Sequence, residues 1–272
     1  MLAEESLKDI SYDCRKTILT LTNHAKNGHV GGSLSEIDIL VCLYFAVMQI
    51  NPQDPNWENR DRFILSKGHA SPGYYTALAK RGYFDEAWLD TFDGLDSHLQ
   101  AHPDMHKCPG VDYSTGSLGQ GLSVGIGIAE GAALAGKSFK TFVLLGDGES
   151  QEGQVWEALM YAGSRKLRNI VAIIDYNGIQ LSTTLADGVD LYPLPEKLKA
   201  FNWNVIEAKG NEIGSILPAL MKAKEESSFG PVAVVAHTTK GFGVSFMENK
   251  YQWHGKAPND EQLAQALAEL RR

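Results

Sequence analysis

The sequence predicts an α/β protein built on a doubly wound, mostly parallel sheet flanked by helices, and three stretches carry that prediction. Thr141 to Leu145 is a short apolar run of the kind that forms a buried strand, and Ile170 to Ile174 is a second. Between them lies Gly146-Asp147-Gly148-Glu149-Ser150-Gln151-Glu152-Gly153, a glycine-rich turn. It leads into Gln154 to Lys166, where Val155, Leu159 and Ala162 recur at helical spacing. Strand, turn, helix and strand in that order make a βαβ unit, whose strands pair in parallel. Phe63 to Leu65 and Pro231 to Ala236 add two further runs that read as buried strands.

A chain of 272 residues, 43% of them hydrophobic, is long enough for one large domain with a substantial core. The expected organisation is a single domain over residues 1–272, closing in a short exposed, linker-like helix at about 259–272. No apolar run approaches the ~18–20 residues of a membrane span. The opening residues lack the basic and apolar regions of a signal peptide. Cys14, Cys42 and Cys108 are odd in number and lack CxxC spacing, so they read as reduced, buried thiols in a cytoplasmic protein. A formal charge of −8 argues against nucleic acid and anionic membrane as partners.

Taken in order, Leu7, Ile10, Cys14, Ile18, Leu21 and Ala25 predict an amphipathic helix that stops near Asn27-Gly28. His29 to Ser33 reads as a loop, with Ser33 and Glu36 in a capping-box pattern ahead of an apolar helix from Ile37 to Met48. After the breaker Asn51-Pro52, Arg60-Asp61-Arg62 reads as a structural ion-pair cluster. Phe63 to Leu65 follows, with Gly68-His69 at its carboxyl end. Leu95 to Pro109 is a polar loop holding His98, His102 and His106, a kind of segment that sits at the surface and often carries function. Gly121, Gly125 and Ala129 line one helical face with small residues, against either another subunit or the core. Beyond Asn177 come a polar loop (Leu181 to Val189), a helix (Pro195 to Phe201), a strand at Val205-Ile206 and a helix (Ile213 to Lys224). Pro231 to Ala236 then leads into irregular sequence from His237 to Gly255.

Chemistry concentrates at the strand ends. Asp147 offers a carboxylate and Asn177 an amide oxygen thirty residues later, both at carboxyl ends of strands, where open α/β sheets bind ligands. Hard oxygen donors beside a glycine loop with free amides suit a divalent cation holding a diphosphate. The same Gly-Asp-Gly also serves as a tight strand-to-helix turn in which Asp147 caps the helix.

Gly146-Asp147-Gly148, 28 intervening residues and Asn177 resemble the binding motif of thiamine-diphosphate enzymes. The string Arg60 to Ala70 (RDRFILSKGHA) is more specific and resembles a transketolase signature. His102-Pro103, Ser114 to Gly121 and His254-Gly255 follow in transketolase order. The resemblance implies that Asp147, Asn177 and the Ile179 carbonyl hold Mg²⁺, with Ca²⁺ or Mn²⁺ as substitutes. It implies that His69, Gly116, Leu118, Gly148, Asn177 and His254 bind the cofactor, while His29 and His102 move protons on substrate hydroxyls. Glu152 and Glu157 resemble an acidic relay between paired thiamine sites, or are ordinary first-turn carboxylates favoured by the helix dipole. Two positions depart from the family: Lys67 stands where many transketolases carry asparagine, and Ser117 where proline is usual. At a loop position the lysine is expected to be tolerated.

The match ends where the first third of a transketolase ends. It therefore implies the amino-terminal subunit of a split enzyme, transferring a two-carbon ketol unit between sugar phosphates of the pentose phosphate type. A carboxy-terminal subunit would complete it, in a heterotetramer with a second copy of this chain, and the chain alone would be inert. The rival readings are a related thiamine enzyme (deoxyxylulose-phosphate synthase or a 2-oxo-acid decarboxylating type) and a non-catalytic binding subunit.

Overall fold

The computed structural model describes residues 2–270; Met1, Arg271 and Arg272 lie outside the described residues. Five strands form one sheet: β1 Arg62–Leu65, β2 Thr141–Gly146, β3 Ile170–Tyr176, β4 Asn204–Lys209 and β5 Val232–His237. Their order is β1-β2-β3-β5-β4, and all neighbouring pairs are parallel. Parallel strands with crossover helices are covered on both faces, which is why their sequences read as unbroken apolar runs.

Alternate residues of each strand enter two separate cores. Phe63, Phe142, Leu144, Val171, Ile173, Val232 and Val234 point to one side. That side is covered by α1 (Glu4–Ala25), α2 (Val30–Cys42), α3 (Ser71–Arg81) and the later α7 (Ile213–Glu226). Ile64, Val143, Leu145, Ala172, Ile174, Ala233 and Val235 point to the other, under α4 (Gln120–Leu134), α5 (Gly153–Ser164) and α6 (Leu194–Ala200). The doubly wound architecture is as the sequence predicts.

Three local expectations need correction. First, α2 begins at Val30, so His29 to Ser33 is a helix start rather than a loop. Gly31 makes this possible: a Cβ there would lie 2.7 Å from the Trp253 carbonyl oxygen. Second, Ser33 and Glu36 make no capping box. Ser33 Oγ donates to the His29 carbonyl at 2.9 Å, and Glu36 is buried against Lys67. Third, the last helix, α8 (Asp260–Glu269), is not a free linker: it opens on an Asn259/Gln262 capping box, and Ala266 and Leu270 are buried on the core. One helical segment, Val30–Val47, is long and apolar enough to cross a membrane, contrary to the expectation from the sequence, but 89% of it is buried inside the protein.

The small-residue face of α4 packs on the sheet. A Cβ at Gly121 would meet Ser66 and one at Gly125 would meet Val143, while Ala129 is buried. Of the alternatives left open by the sequence, the core is the partner. The Arg60-Asp61 segment is structural as expected: Arg60 pairs with Asp112 at 2.5 Å and Asp61 with Lys224 at 2.8 Å.

Candidate active site

A cleft of about 350 Å³ opens at the carboxyl ends of β1, β2, β3 and β5. Each strand delivers residues where its ladder stops and the backbone turns away. β1 gives Lys67 and His69, β2 gives Asp147 and Gly148, β3 gives Asn177 and Ile179, and the segment after β5 gives Lys240 and His254. His29, at the N-cap of α2, and Gly116 and Leu118, ahead of α4, complete the walls. Gly68 lets two of these loops touch, since a Cβ there would stand 2.5 Å from Thr115 Oγ1 and 2.9 Å from the Gly116 nitrogen.

Both Asp147 oxygens are held by backbone amides, Oδ1 from Gly148 at 2.7 Å and Oδ2 from Gly178 at 2.6 Å. Burial, reinforced by the nearby Asp175 carboxylate, still pushes its pKa up to about 6. Asn177 Oδ1 accepts from the Ile179 amide at 3.1 Å, and the Ile179 carbonyl accepts from Lys240 Nζ at 3.1 Å. Among the described residues no group of three or more His, Cys, Asp or Glu is arranged for a metal. A donor set of one carboxylate, one amide oxygen and one carbonyl would escape that pattern, and it is the hard-oxygen chemistry a small divalent cation takes. An underneutralised buried carboxylate is likewise stabilised by a cation.

Three imidazoles form a triangle in the same cleft. Ring centres lie 4.9 Å apart for His29–His69, 5.4 Å for His29–His254 and 5.1 Å for His69–His254. Burial, then mutual repulsion and the neighbouring lysines, hold His69 well below the usual histidine range and push His254 down to about 3. Burial lowers His29 in the same direction. The rings are therefore neutral at pH 7, and Lys240 Nζ lies 2.9 Å from His254 Nδ1. An ammonium only donates, so Nδ1 accepts and the ring proton sits on Nε2. Burial pushes Lys240 itself down to about 8.

Most of the residues singled out in the sequence thus converge: His29, His69, Gly116, Leu118, Asp147, Gly148, Asn177, Ile179 and His254 all line the cleft. His102 does not. It is exposed and lines an adjoining cleft of about 620 Å³ whose wall includes Gly116, with its ring against that glycine. Glu152 and Glu157 are exposed outside the cleft. His98 is exposed and stacks on Trp88 at 4.6 Å, and His106 is also exposed.

Several lining residues escaped the sequence reading. Glu149 is buried, accepts from Ser66 Oγ, the Gly119 amide (2.9 Å) and the Gly146 amide (3.0 Å), and so ties β1, β2 and the start of α4 together. Lys240 lay in a strand-end segment, which was the available signal. Lys67 is the largest correction: it is no tolerant loop residue but 3% exposed, with Glu36 and Asp175 as its counter-ions.

Residues 9–270 match the family described as "Transketolase, thiamine diphosphate binding domain". The chain belongs to the transketolase family. Among its relatives, it is similar to an apulose-4-phosphate transketolase subunit from Actinobacillus succinogenes, with 42% identity over 94% of this chain and 92% of that one. It is also 42% identical to the 6-deoxy-6-sulfo-D-fructose transketolase subunit SqwG of a Clostridium species, over 89% of this chain and 88% of that one. Among solved structures, a Pichia stipitis transketolase in complex with sedoheptulose-7-phosphate superposes with a TM-score of 0.90 at 30% identity. There the match covers 98% of this chain and 41% of that chain. As a transketolase chain it is a transferase component, and the relatives of its own size are transketolase subunits rather than either rival thiamine enzyme.

Proposed function

We propose that this chain is the diphosphate-binding, amino-terminal subunit of a thiamine-diphosphate-dependent transketolase that moves a two-carbon ketol unit between sugar phosphates. The convergence of Asp147, Asn177, the Ile179 carbonyl, His69, Lys240 and His254 on one cleft at the strand ends carries the reading. Asp147, Asn177 and Ile179 would hold Mg²⁺ against the diphosphate. Lys240 and the imidazoles of His69 and His254 would face its remaining oxygens, and Gly116 and Leu118 would lie along the rings. When bound, thiamine diphosphate supplies a thiazolium carbon that acts as nucleophile and electron sink.

The chain's own part is to bind, orient and move protons. His29 lines the cleft as a neutral imidazole able to accept a proton from a substrate hydroxyl. His102 would do the same from the adjoining cleft across Gly116. Glu152 and Glu157, exposed near the start of α5, are suited to an inter-subunit contact. The buried thiols of Cys14, Cys42 and Cys108 are in keeping with the cytoplasm, where thiols stay reduced.

The relatives of similar length are named as subunits, which supports a separate partner subunit; the reading takes that partner as carboxy-terminal and the assembly as a heterotetramer with two copies of each chain. Ketol transfer from a ketose phosphate to an aldose phosphate, measured with the purified chain and again after adding that partner, tests the proposal. Activity is expected only in the mixture. Robust turnover by the chain by itself would overturn the split-enzyme reading.

A further inference from the structure

Behind the cleft wall, and reaching it through Lys67, lies a buried ion-pair cluster that the functional reading leaves unused. Lys67 Nζ is 2.8 Å from Glu36 Oε2 and 2.5 Å from Asp175 Oδ2, and all three side chains are at most 4% exposed. Taking such charges out of water costs several kcal/mol per ion, so a buried cluster of this kind is weak evidence for stability alone. Its geometry suggests another use. Asp175 is a hub: its Oδ2 accepts from Lys67 and from Ser35 Oγ at 2.5 Å, and its Oδ1 accepts from Thr238 Oγ1. The remaining neighbour of Oδ2 is Asn177 Nδ2, at 3.4 Å.

That last contact, with the Ile179 amide, decides which way the Asn177 side chain faces. The oxygen and nitrogen of an asparagine side chain are nearly identical in shape, and only their hydrogen-bonding partners distinguish the two orientations. A carboxylate only accepts, so Asp175 draws the NH₂ group of Asn177 downward and repels its oxygen. At 3.4 Å this is mainly charge–dipole attraction rather than a strong hydrogen bond. Turning the NH₂ down turns Oδ1 up, where the Ile179 amide meets it at 3.1 Å and one lone pair is left facing the cleft. Lys67 and Thr238 fix the position of Asp175 from two other strand ends, so the sheet edge sets the orientation together with the Ile179 amide of the loop.

We propose that Asp175, anchored by Lys67, is a positioning residue that holds the Asn177 oxygen toward a divalent cation. The proposal rests on the reading of Asn177 as a cation donor. Outer-shell partners of this sort are worth about 10–100-fold in metal affinity. In Asp175→Asn the new side chain can present either end to Asn177, while Lys67 Nζ keeps its 2.8 Å contact with the Glu36 carboxyl, so the fold is expected to persist.

The test is calorimetric binding of thiamine diphosphate at graded Mg²⁺ concentrations, using the full chain with its partner subunit. The Mg²⁺ concentration for half-maximal cofactor binding should rise about 10–100-fold in Asp175→Asn, with affinity at saturating Mg²⁺ close to that of the parent. Lys67→Met/Asp175→Asn, which removes both charges together, should show the same shift and guards against a folding defect in the single variant. A merely structural role would lower the melting temperature and leave the Mg²⁺ midpoint in place, which overturns the proposal. Asn177→Ala separates the levels. If it loses Mg²⁺ dependence while Asp175→Asn keeps it, the positioning role alone falls. If Asn177→Ala binds as the parent does, the donor reading falls and takes the positioning role with it.

Discussion

Two glycines on one helix should respond to the same substitution with opposite signs. Gly121 and Gly127 both lie in α4, six residues apart and facing different ways. A Cβ on Gly121 would sit 2.6 Å from Ser66 Cβ and 2.9 Å from Ser66 Cα, whereas one on Gly127 meets nothing within 4 Å. Carbon atoms settle at about 3.5–4.0 Å, so Gly121→Ala must displace the start of α4 from β1 by roughly 0.5–1 Å. Overpacking of this kind costs about 1–3 kcal/mol. The move also strains the bond from Ser66 to Glu149, whose carboxylate holds the Gly119 amide; hydrogen bonds to charged groups are worth about 1.5–3 kcal/mol. Against this stands a helix-propensity gain of about 1 kcal/mol for Gly→Ala. The net expectation is a loss of about 1–3 kcal/mol for Gly121→Ala. For Gly127→Ala only the propensity gain of up to about 1 kcal/mol remains. Urea unfolding followed by circular dichroism, with equal m-values, reads both differences directly. Equal stabilisation by the two substitutions would refute the claim that α4 is seated on the sheet through its glycine face.

Three further outcomes are expected. Asp147→Ala removes the only carboxylate of the proposed cation site, so Mg²⁺-dependent binding of thiamine diphosphate should weaken by about 100-fold or more, and unchanged calorimetric affinity would count against the site. His102→Ala should bind cofactor normally and lose about 10²–10⁴-fold in turnover, while His69→Ala should raise the cofactor requirement; exchanged phenotypes in steady-state kinetics would reverse the assignment of the two clefts. The third concerns pH. His254 is pushed down to about 3 by burial and then by Lys240, so the unfolded chain takes up this proton near pH 6.5 and the folded protein does not. Stability should therefore fall as pH drops below about 6.5, by about 2 kcal/mol at pH 5 for an isolated buried ring and about 1 kcal/mol after allowing for partial exposure. His254→Gln should flatten the slope of the urea midpoint between pH 7 and 5; an unaltered slope would place the titration elsewhere.

The strands were legible because parallel strands buried on both faces leave continuous apolar runs, and the site was legible where its residues sit at the ends of those runs. Asp147, Asn177 and His69 were found that way. Lys67 was misjudged because its partners, Glu36 and Asp175, are brought to it only by the tertiary fold. The same contact undid the capping box, since the Glu36 carboxyl is buried against Lys67 instead of reaching back to the helix start. Gly31 and Gly32 suggested a loop because local propensity disfavours glycine in helices. The nearby Trp253 carbonyl, 222 residues on, is what requires a glycine there. His102 lines the adjoining cleft, its ring against the Gly116 that both clefts share, a distinction that motif order does not encode.

The cleft draws on nearly the whole span of the chain, from His29 to His254. All five strands precede residue 238, so as the chain emerges during synthesis the sheet can begin to pair while the pocket still lacks Lys240 and His254. A ligand in the cleft therefore cannot template the early sheet. It acts afterwards as a clasp, tying the first helices to the segment that packs last. Because it binds only the finished arrangement, its stabilisation grows with the logarithm of its concentration, and the late segment, rather than the sheet, should show the largest gain in protection from hydrogen exchange.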